Sequence, residues 1–384
     1  VAANVAWFDR DQSLLSCYRT GVSIHSHTNR SKENLEFVER VLESHPLCRA
    51  LLRGQRDKAG RNGVAMQFSR GYWTPPLCPR SAYELEKQQI EERLDMRALV
   101  SLSDHDGIEA PLLLQIVKGL EPPISVEWTV PFQSAKFHLG VHNLPAERAQ
   151  EWMDELRDCT AAATTERVCD ILRTLHAIPQ VLVVFNHPMW NLYHLPEAKF
   201  AQEVEDFLAL NNHCLHAFEL NGLRRWEENR GVAALAARWQ QILVSGGDRH
   251  GCEPNANLNL TNAEGFDEWV NELRMERRSQ LLFMPQYDDS LVVRCYQTFL
   301  DAVREYPDHP DGAVRWDQRT FHPGRTGEVQ PLSTLWRDVP QFLKVILGVA
   351  RMAETSHLLR TLRHYGARPA RVMPELTGQE EGAR

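Results

Sequence analysis

Seven times along this chain a short apolar run, readable as a strand, meets a histidine or a carboxylate. Residues 18–24 run into His25-Ser26-His27, and residues 97–102 into Ser103-Asp104-His105. The run 124–130 contains Glu127, and 137–142 carries His138 and His142. Residues 180–185 end in Asn186-His187, 214–220 in Glu219 and Asn221, and 241–244 in Gly246-Gly247-Asp248-Arg249-His250. Helix-like stretches separate most of these runs. Strand–helix alternation of this kind predicts an α/β fold, a parallel barrel whose site lies at the C-terminal ends of its strands.

Spacing supplies the chemistry. In an extended chain residues i and i+2 point to the same side, so His25 and His27, or Asp248 and His250, face one spot. A single H-x-H or D-x-H is as well explained by surface histidines or a salt-bridged turn. Recurrence at successive strand ends favours a shared site. Glu127, inside an apolar strand, needs a cation nearby, because an unpaired buried carboxylate is costly. A His/Asp/Glu set without cysteine suits two or three divalent ions, Mn, Fe or Zn, without choosing between them.

Composition excludes several alternatives. The 384 residues carry a formal charge of −8 and no long basic run, which argues against extended nucleic acid as a partner. No apolar stretch is long enough to span a membrane, and residues 1–13 lack a signal-peptide core, so a cytoplasmic location is expected. The eight cysteines form no C-x-x-C, which gives neither a disulfide framework nor a thiolate zinc site.

Two regions depart from the alternation. Residues 53–80 are charged, then rich in Gly, Pro and aromatics (Tyr72, Trp73), and are predicted to be a loop insertion after the first strand, positioned to act as a lid. A helix is expected over about 32–52. Beyond Gly251 the alternation stops, and helices are predicted over 266–278, 291–306 and 332–365. The expected division is a barrel over 1–285 and a helical C-terminal extension over 286–384 with a disordered tail.

The ordered set His25-x-His27, Asp104-His105, Glu127, His138, His187 and Asp248-x-His250 resembles the PHP family, named for polymerase and histidinol phosphatase. The resemblance covers roughly residues 18–280. It implies a distorted TIM-like (β/α)7 barrel with a two- or three-metal centre, a phosphoesterase that hydrolyses a phosphate ester of a small molecule or a nucleotide through a metal-bridged hydroxide. It assigns His25, His27 and Asp248 to one ion, Glu127 to a bridge, His138 and His187 to a second ion, and His105 and His250 to a third. Where the family places an Asp or His to complete the third site, this chain offers Glu33. Asp248, His250 and Glu127 are the expected catalytic groups. Arg249, Arg30 and Arg224 flank strand ends and are candidates to grip a phosphate, Arg249 first because it lies between two ligands.

Two other functions compete. An amidohydrolase-type metal hydrolase also opens with H-x-H and ends with a barrel Asp, but often bridges its metals with a carboxylated lysine. Here the third strand offers Glu127 and no lysine. A non-catalytic metal-binding module is the other alternative, and the near-complete ligand set weighs against it.

Overall fold

The computed structural model describes residues 4–35 and 67–336 apart from 118, 193 and 311, together with 338, 339, 343, 344, 347 and 348. In chain order the elements begin with β1 (Asn4–Trp7), α1 (Gln12–Leu15), β2 (Thr20–Ile24), β3 (Glu33–Asn34), β4 (Tyr72–Trp73), α2 (Pro79–Leu94) and β5 (Arg97–Ser101). They continue with α3 (Glu109–Gln115), β6 (Val126–Phe132), β7 (Ala135–His142), α4 (Ala149–Ala161), α5 (Thr165–His176), β8 (Leu182–Asn186), α6 (Glu197–Asn211) and β9 (Ala217–Asn221). Next come α7 (Trp226–Arg238), β10 (Ile242–Gly246), β11 (Asn257–Thr261), α8 (Phe266–Arg274), β12 (Gln280–Phe283) and α9 (Leu291–Val303). The last are β13 (Thr320–Pro323), β14 (Val329–Pro331) and α10 (Leu332–Leu335).

The fold is mixed α/β, but the hydrogen-bonded ladder does not close into one barrel. Two five-stranded sheets are present, ordered β1-β12-β11-β2-β5 and β10-β9-β8-β7-β6. Single bridges, Ser26 to Arg249 and His105 to Glu127, link them at the strand ends where the candidate ligands sit. The expected all-parallel order also fails at β6–β7–β8, where both pairings are antiparallel. The cause is local. Only Gln133 and Ser134 separate β6 from β7, with Gln133 in the left-handed region (φ 51°). A parallel crossover needs about a dozen residues or more, so this connection can only be a hairpin.

Aliphatic and aromatic side chains fill the space between the second sheet and its helices. Trp128, Phe185, Phe207 and Phe218 are fully buried there, each contributing roughly 1.5–3 kcal/mol by leaving water. This layer carries β6 to β9, and three of the nine expected ligands, Glu127, His138 and His187, stand on these strands or directly after them.

The region around Glu33 differs from expectation. Glu33–Asn34 is a strand rather than the start of a helix, and the rest of the helix expected over 32–52 lies outside the described residues. Glu33 is in register with Trp73, and Trp73 with Thr320, in a four-stranded sheet ordered β14-β13-β4-β3. Residues beyond 285 are therefore not purely helical: β13 and β14 return to the edge of the site. Most of the helix expected over 332–365 and the tail lie outside the described residues, as does the insertion from 53 to 66. Among the described residues no helix is long and apolar enough to cross a membrane.

Candidate metal centre

All nine residues expected as ligands converge on one buried basin. Four overlapping groups have ligand atoms within 4.8 Å of one another: His27, Glu33, His105 and His250; His25, His27 and Asp248; His25, Glu127 and His187; His105, Glu127 and His138. Glu127 is the hub. Its Oε1 lies 3.1 Å from His25 Nε2, 3.1 Å from His187 Nε2 and 3.4 Å from His138 Nδ1. Its Oε2 lies 3.1 Å from His105 Nδ1 and 3.3 Å from His27 Nε2. Asp248 Oδ1 stands 3.5 Å from His27 Nε2, and Glu33 Oε2 stands 3.0 Å from His250 Nε2 and 3.3 Å from His105 Nε2.

These separations fit shared ions. Two ligand atoms about 2.1 Å from one ion, at octahedral to tetrahedral angles, stand roughly 3.0–3.5 Å apart. Hydrogen bonding alone leaves the basin unsatisfied: His25 Nε2, His27 Nε2 and Glu127 Oε2 are buried with no hydrogen-bond partner. Orphaned lone pairs of this kind are what a cation would satisfy.

The backbone is shaped to aim these groups. His25, His187 and Asp248 all adopt left-handed conformations (φ 62°, 30° and 55°), which side chains other than glycine rarely take. Main-chain hydrogen bonds hold them there: Asp248 N donates to His25 O at 2.7 Å, and His27 N to Arg249 O at 2.9 Å.

A second layer fixes the rings. His25 Nδ1 donates to Glu219 Oε1 at 2.5 Å, which turns its Nε2 lone pair toward Glu127 and Asp248. His250 Nδ1 donates to the Asp248 carbonyl at 2.8 Å and turns Nε2 toward Glu33. Asn221 Nδ2 donates to both Glu219 Oε2 (2.9 Å) and Asp248 Oδ2 (3.3 Å). Asp104 accepts from Thr28 N at 2.6 Å and from Thr28 Oγ1 at 2.7 Å, latching the two first strand ends together. Burial pushes its carboxyl up to about 7.

Charge states follow from this packing. Burial pulls the Glu127, Glu33 and Asp248 carboxyls upward, but the imidazoles around them win and hold all three well below the usual range. Burial and neighbouring His250 bring His27 down to about 4. The carboxylates are thus anionic and His27 neutral at pH 7, as ligation requires. Burial opposes charge on His25, yet Glu127 and Glu219 outweigh it and raise it well above the ordinary value, so an ion entering there displaces a proton.

Of the three expected phosphate-gripping arginines, Arg249 is a correction. It is buried, with Nε 2.8 Å from Glu86 Oε1, NH1 donating to Gly251 O and NH2 to His27 O. The reason is the alternation that places its neighbours: with Asp248 and His250 facing the basin, residue 249 must face away. Ser26, between His25 and His27, likewise turns to Glu86. Arg30 reaches Glu109 at 3.4 Å. Arg224 stands at the basin, its NH2 3.3 Å from Asp248 Oδ2 and its guanidinium 3.9 Å from the Trp190 ring centroid. Trp73, from the insertion, lies with its ring centroid 6.3 Å from that of His250.

Glu219, Asn221, Asn186 and Glu86 were not singled out as site residues from sequence. Glu219 and Asn221 carry the same i, i+2 signal at a strand end as Asp248 and His250. Glu86 sits inside a charged helix and offers no signal.

No family model matches the chain, and no curated protein matches it. Among solved structures, a candidate metal-dependent phosphoesterase from Bifidobacterium adolescentis is similar at 15% identity and a TM-score of 0.34, over 68% of this chain and 99% of that one. An amidohydrolase from Chromobacterium violaceum, solved with sulfate and no metal, is similar at 14% identity and a TM-score of 0.35, over 60% and 87%. At these scores the likenesses assign no family.

Proposed function

We propose that this protein is a metal-dependent hydrolase of phosphate esters, acting on a small phosphorylated molecule. The observation that carries this reading is the convergence of six histidines and three carboxylates, all expected ligands, in four overlapping groups on one basin. His25, His27 and Asp248 would hold one ion, Glu127 with His25 and His187, and with His105 and His138, would bridge to a second, and Glu33 with His105, His27 and His250 would hold a third.

Bound divalent ions would supply Lewis acidity and a nucleophilic water near neutral pH, through a donor set that suits Mn, Fe or Zn. The chain's own residues do the rest. Glu219 and the Asp248 carbonyl fix two imidazoles in the tautomer that ligates. Arg224, held against Asp248 and Trp190, sets a cation at the rim where a phosphoryl oxygen would arrive. Apolar strands beneath exclude bulk water and strengthen each of these interactions.

The test is metal analysis of the purified protein followed by a panel of phosphate esters and amides. Two or three transition-metal ions per chain are expected, with hydrolysis of esters lost on chelation and restored by Mn, Fe or Zn. Amide hydrolysis without ester hydrolysis would transfer the protein to amidohydrolase chemistry, and full activity without metal would overturn the proposal.

A further inference from the structure

Ser26 and Arg249 pair in a single parallel bridge, and His27 N donates to Arg249 O across it at 2.9 Å. The bridge joins the two turns that carry His25, His27, Asp248 and His250. Those four side chains converge on the basin, while Ser26 and Arg249 turn the other way, to Glu86 of α2. Glu86 is fully buried. Its Oε1 accepts from Arg249 Nε at 2.8 Å, and its Oε2 accepts from Ser23 Oγ at 3.0 Å. Asn255 N, from the segment leading into β11, donates to Oε2 at 3.1 Å, and Asn255 Nδ2 donates to Ser23 Oγ at 2.8 Å and to Ile24 O at 3.1 Å. Arg249 carries the grip back to both turns: its NH2 donates to His27 O at 3.2 Å and its NH1 to Gly251 O at 2.8 Å. One carboxylate and one guanidinium thus tie residues 23–27, 248–251 and 255 together behind the ligands.

Stability is a weak reason for such a pair. Two charges taken out of water cost several kcal/mol each, and well-packed apolar side chains in their place are often as stable or more so. What apolar contacts lack is direction. A guanidinium is a rigid planar fork, so Nε, NH1 and NH2 meet a carboxylate and two carbonyls in one arrangement only. An ion tolerates errors of only about 0.2 Å in its ligand distances, which a slip of residues 25–27 past 248–250 would exceed.

Resting on the metal-hydrolase function proposed above, we propose that Glu86 and Arg249 are positioning residues for the ion of His25, His27 and Asp248: their buried pair locks the two ligand turns at the separation that ion needs. Neither residue touches substrate or metal.

The test is Mn(II) affinity, measured by calorimetry on the full chain after chelation, at a temperature where each apo-protein is folded by circular dichroism. Under that condition a pair that served stability alone would leave the affinity unmoved. The double variant Arg249→Met with Glu86→Met removes both charges and keeps the space filled. Arg249→Lys keeps a charge beside Glu86 but not the fork that reaches both carbonyls. Each should weaken the tightest Mn(II) site ten- to a hundredfold, the usual cost of losing an outer support of metal ligands. Wild-type affinity in the folded double variant would overturn the proposal, and so would wild-type affinity in Arg249→Lys. Should the double variant fail to fold, Arg249→Lys carries the test by itself, because Glu86 stays paired there. Wild type that binds Mn(II) yet hydrolyses no phosphate ester would sink the proposed function and leave this inference readable. Wild type that takes up no metal would sink both.

Discussion

His25 Nδ1 and Glu219 Oε1 lie 2.5 Å apart, both fully buried, beneath the basin where His25 offers its other nitrogen. Glu219→Gln keeps the shape and removes the charge that sets the ring's tautomer. Metal affinity should fall about ten- to a hundredfold, read by chelator competition, with the fold intact by circular dichroism. The contact also explains Gly246, where a Cβ would collide with the Glu219 carboxylate. Gly246→Ala should therefore reproduce the Glu219→Gln loss without altering any polar group.

Glu127 faces five imidazoles, so its charge is needed by every group that shares it. Glu127→Gln should lose metal and ester hydrolysis together, measured by elemental analysis and turnover. Retention of both would reduce Glu127 to a structural carboxylate.

Arg249 and Arg224 should fail in opposite ways. Arg249→Met strands Glu86 buried and unpaired, at a cost of about 3–5 kcal/mol, visible as a large fall in melting temperature. Pairing it with Glu86→Met should return much of that stability. Arg224→Ala should leave melting nearly unchanged and raise KM for a phosphate ester by about tenfold, the loss of one charge-assisted contact.

Stability should also fall in mild acid for a reason remote from the basin. Burial, then Arg274 and His176, hold His216 down at about 2. Below its unfolded value of about 6.5 the unfolded chain takes up a proton that the folded chain does not, so stability drops as pH falls from there. The loss reaches up to about 2 kcal/mol at pH 5. Chemical denaturation at pH 7 and pH 5 should show a smaller difference in His216→Gln than in wild type.

Most of the candidate ligands were legible because they sit where an apolar run ends, or inside one as Glu127 and His138 do, and period-two spacing survives whatever the strands then pair with. Glu33 was found even though its surroundings were misread as a helix, since its position after the first H-x-H did not depend on local structure. Arg249 was misjudged by the same rule that finds its neighbours. The turn Gln133-Ser134 has neither Gly nor Pro to announce a hairpin, so β6 and β7 read as separate parallel strands. β11, N-L-N-L-T, alternates cleanly, but its asparagines are poor strand formers. They earn their place through bonds no local pattern shows, such as Asn259 Nδ2 to Ser245 O at 2.8 Å and Asn257 Nδ2 to Leu220 O at 2.7 Å.

The small sheet under Glu33 draws its strands from residues 33–34, 72–73 and 320–331. During synthesis the first two emerge early, and the strands that complete the sheet emerge after every other candidate ligand has been made. A nascent chain thus carries eight of the nine side chains on elements already available for pairing while the support for the ninth is still in the ribosome. The histidine-rich basin is completed last, so binding of ions by all nine candidate ligands would follow the emergence of the strands of both five-stranded sheets.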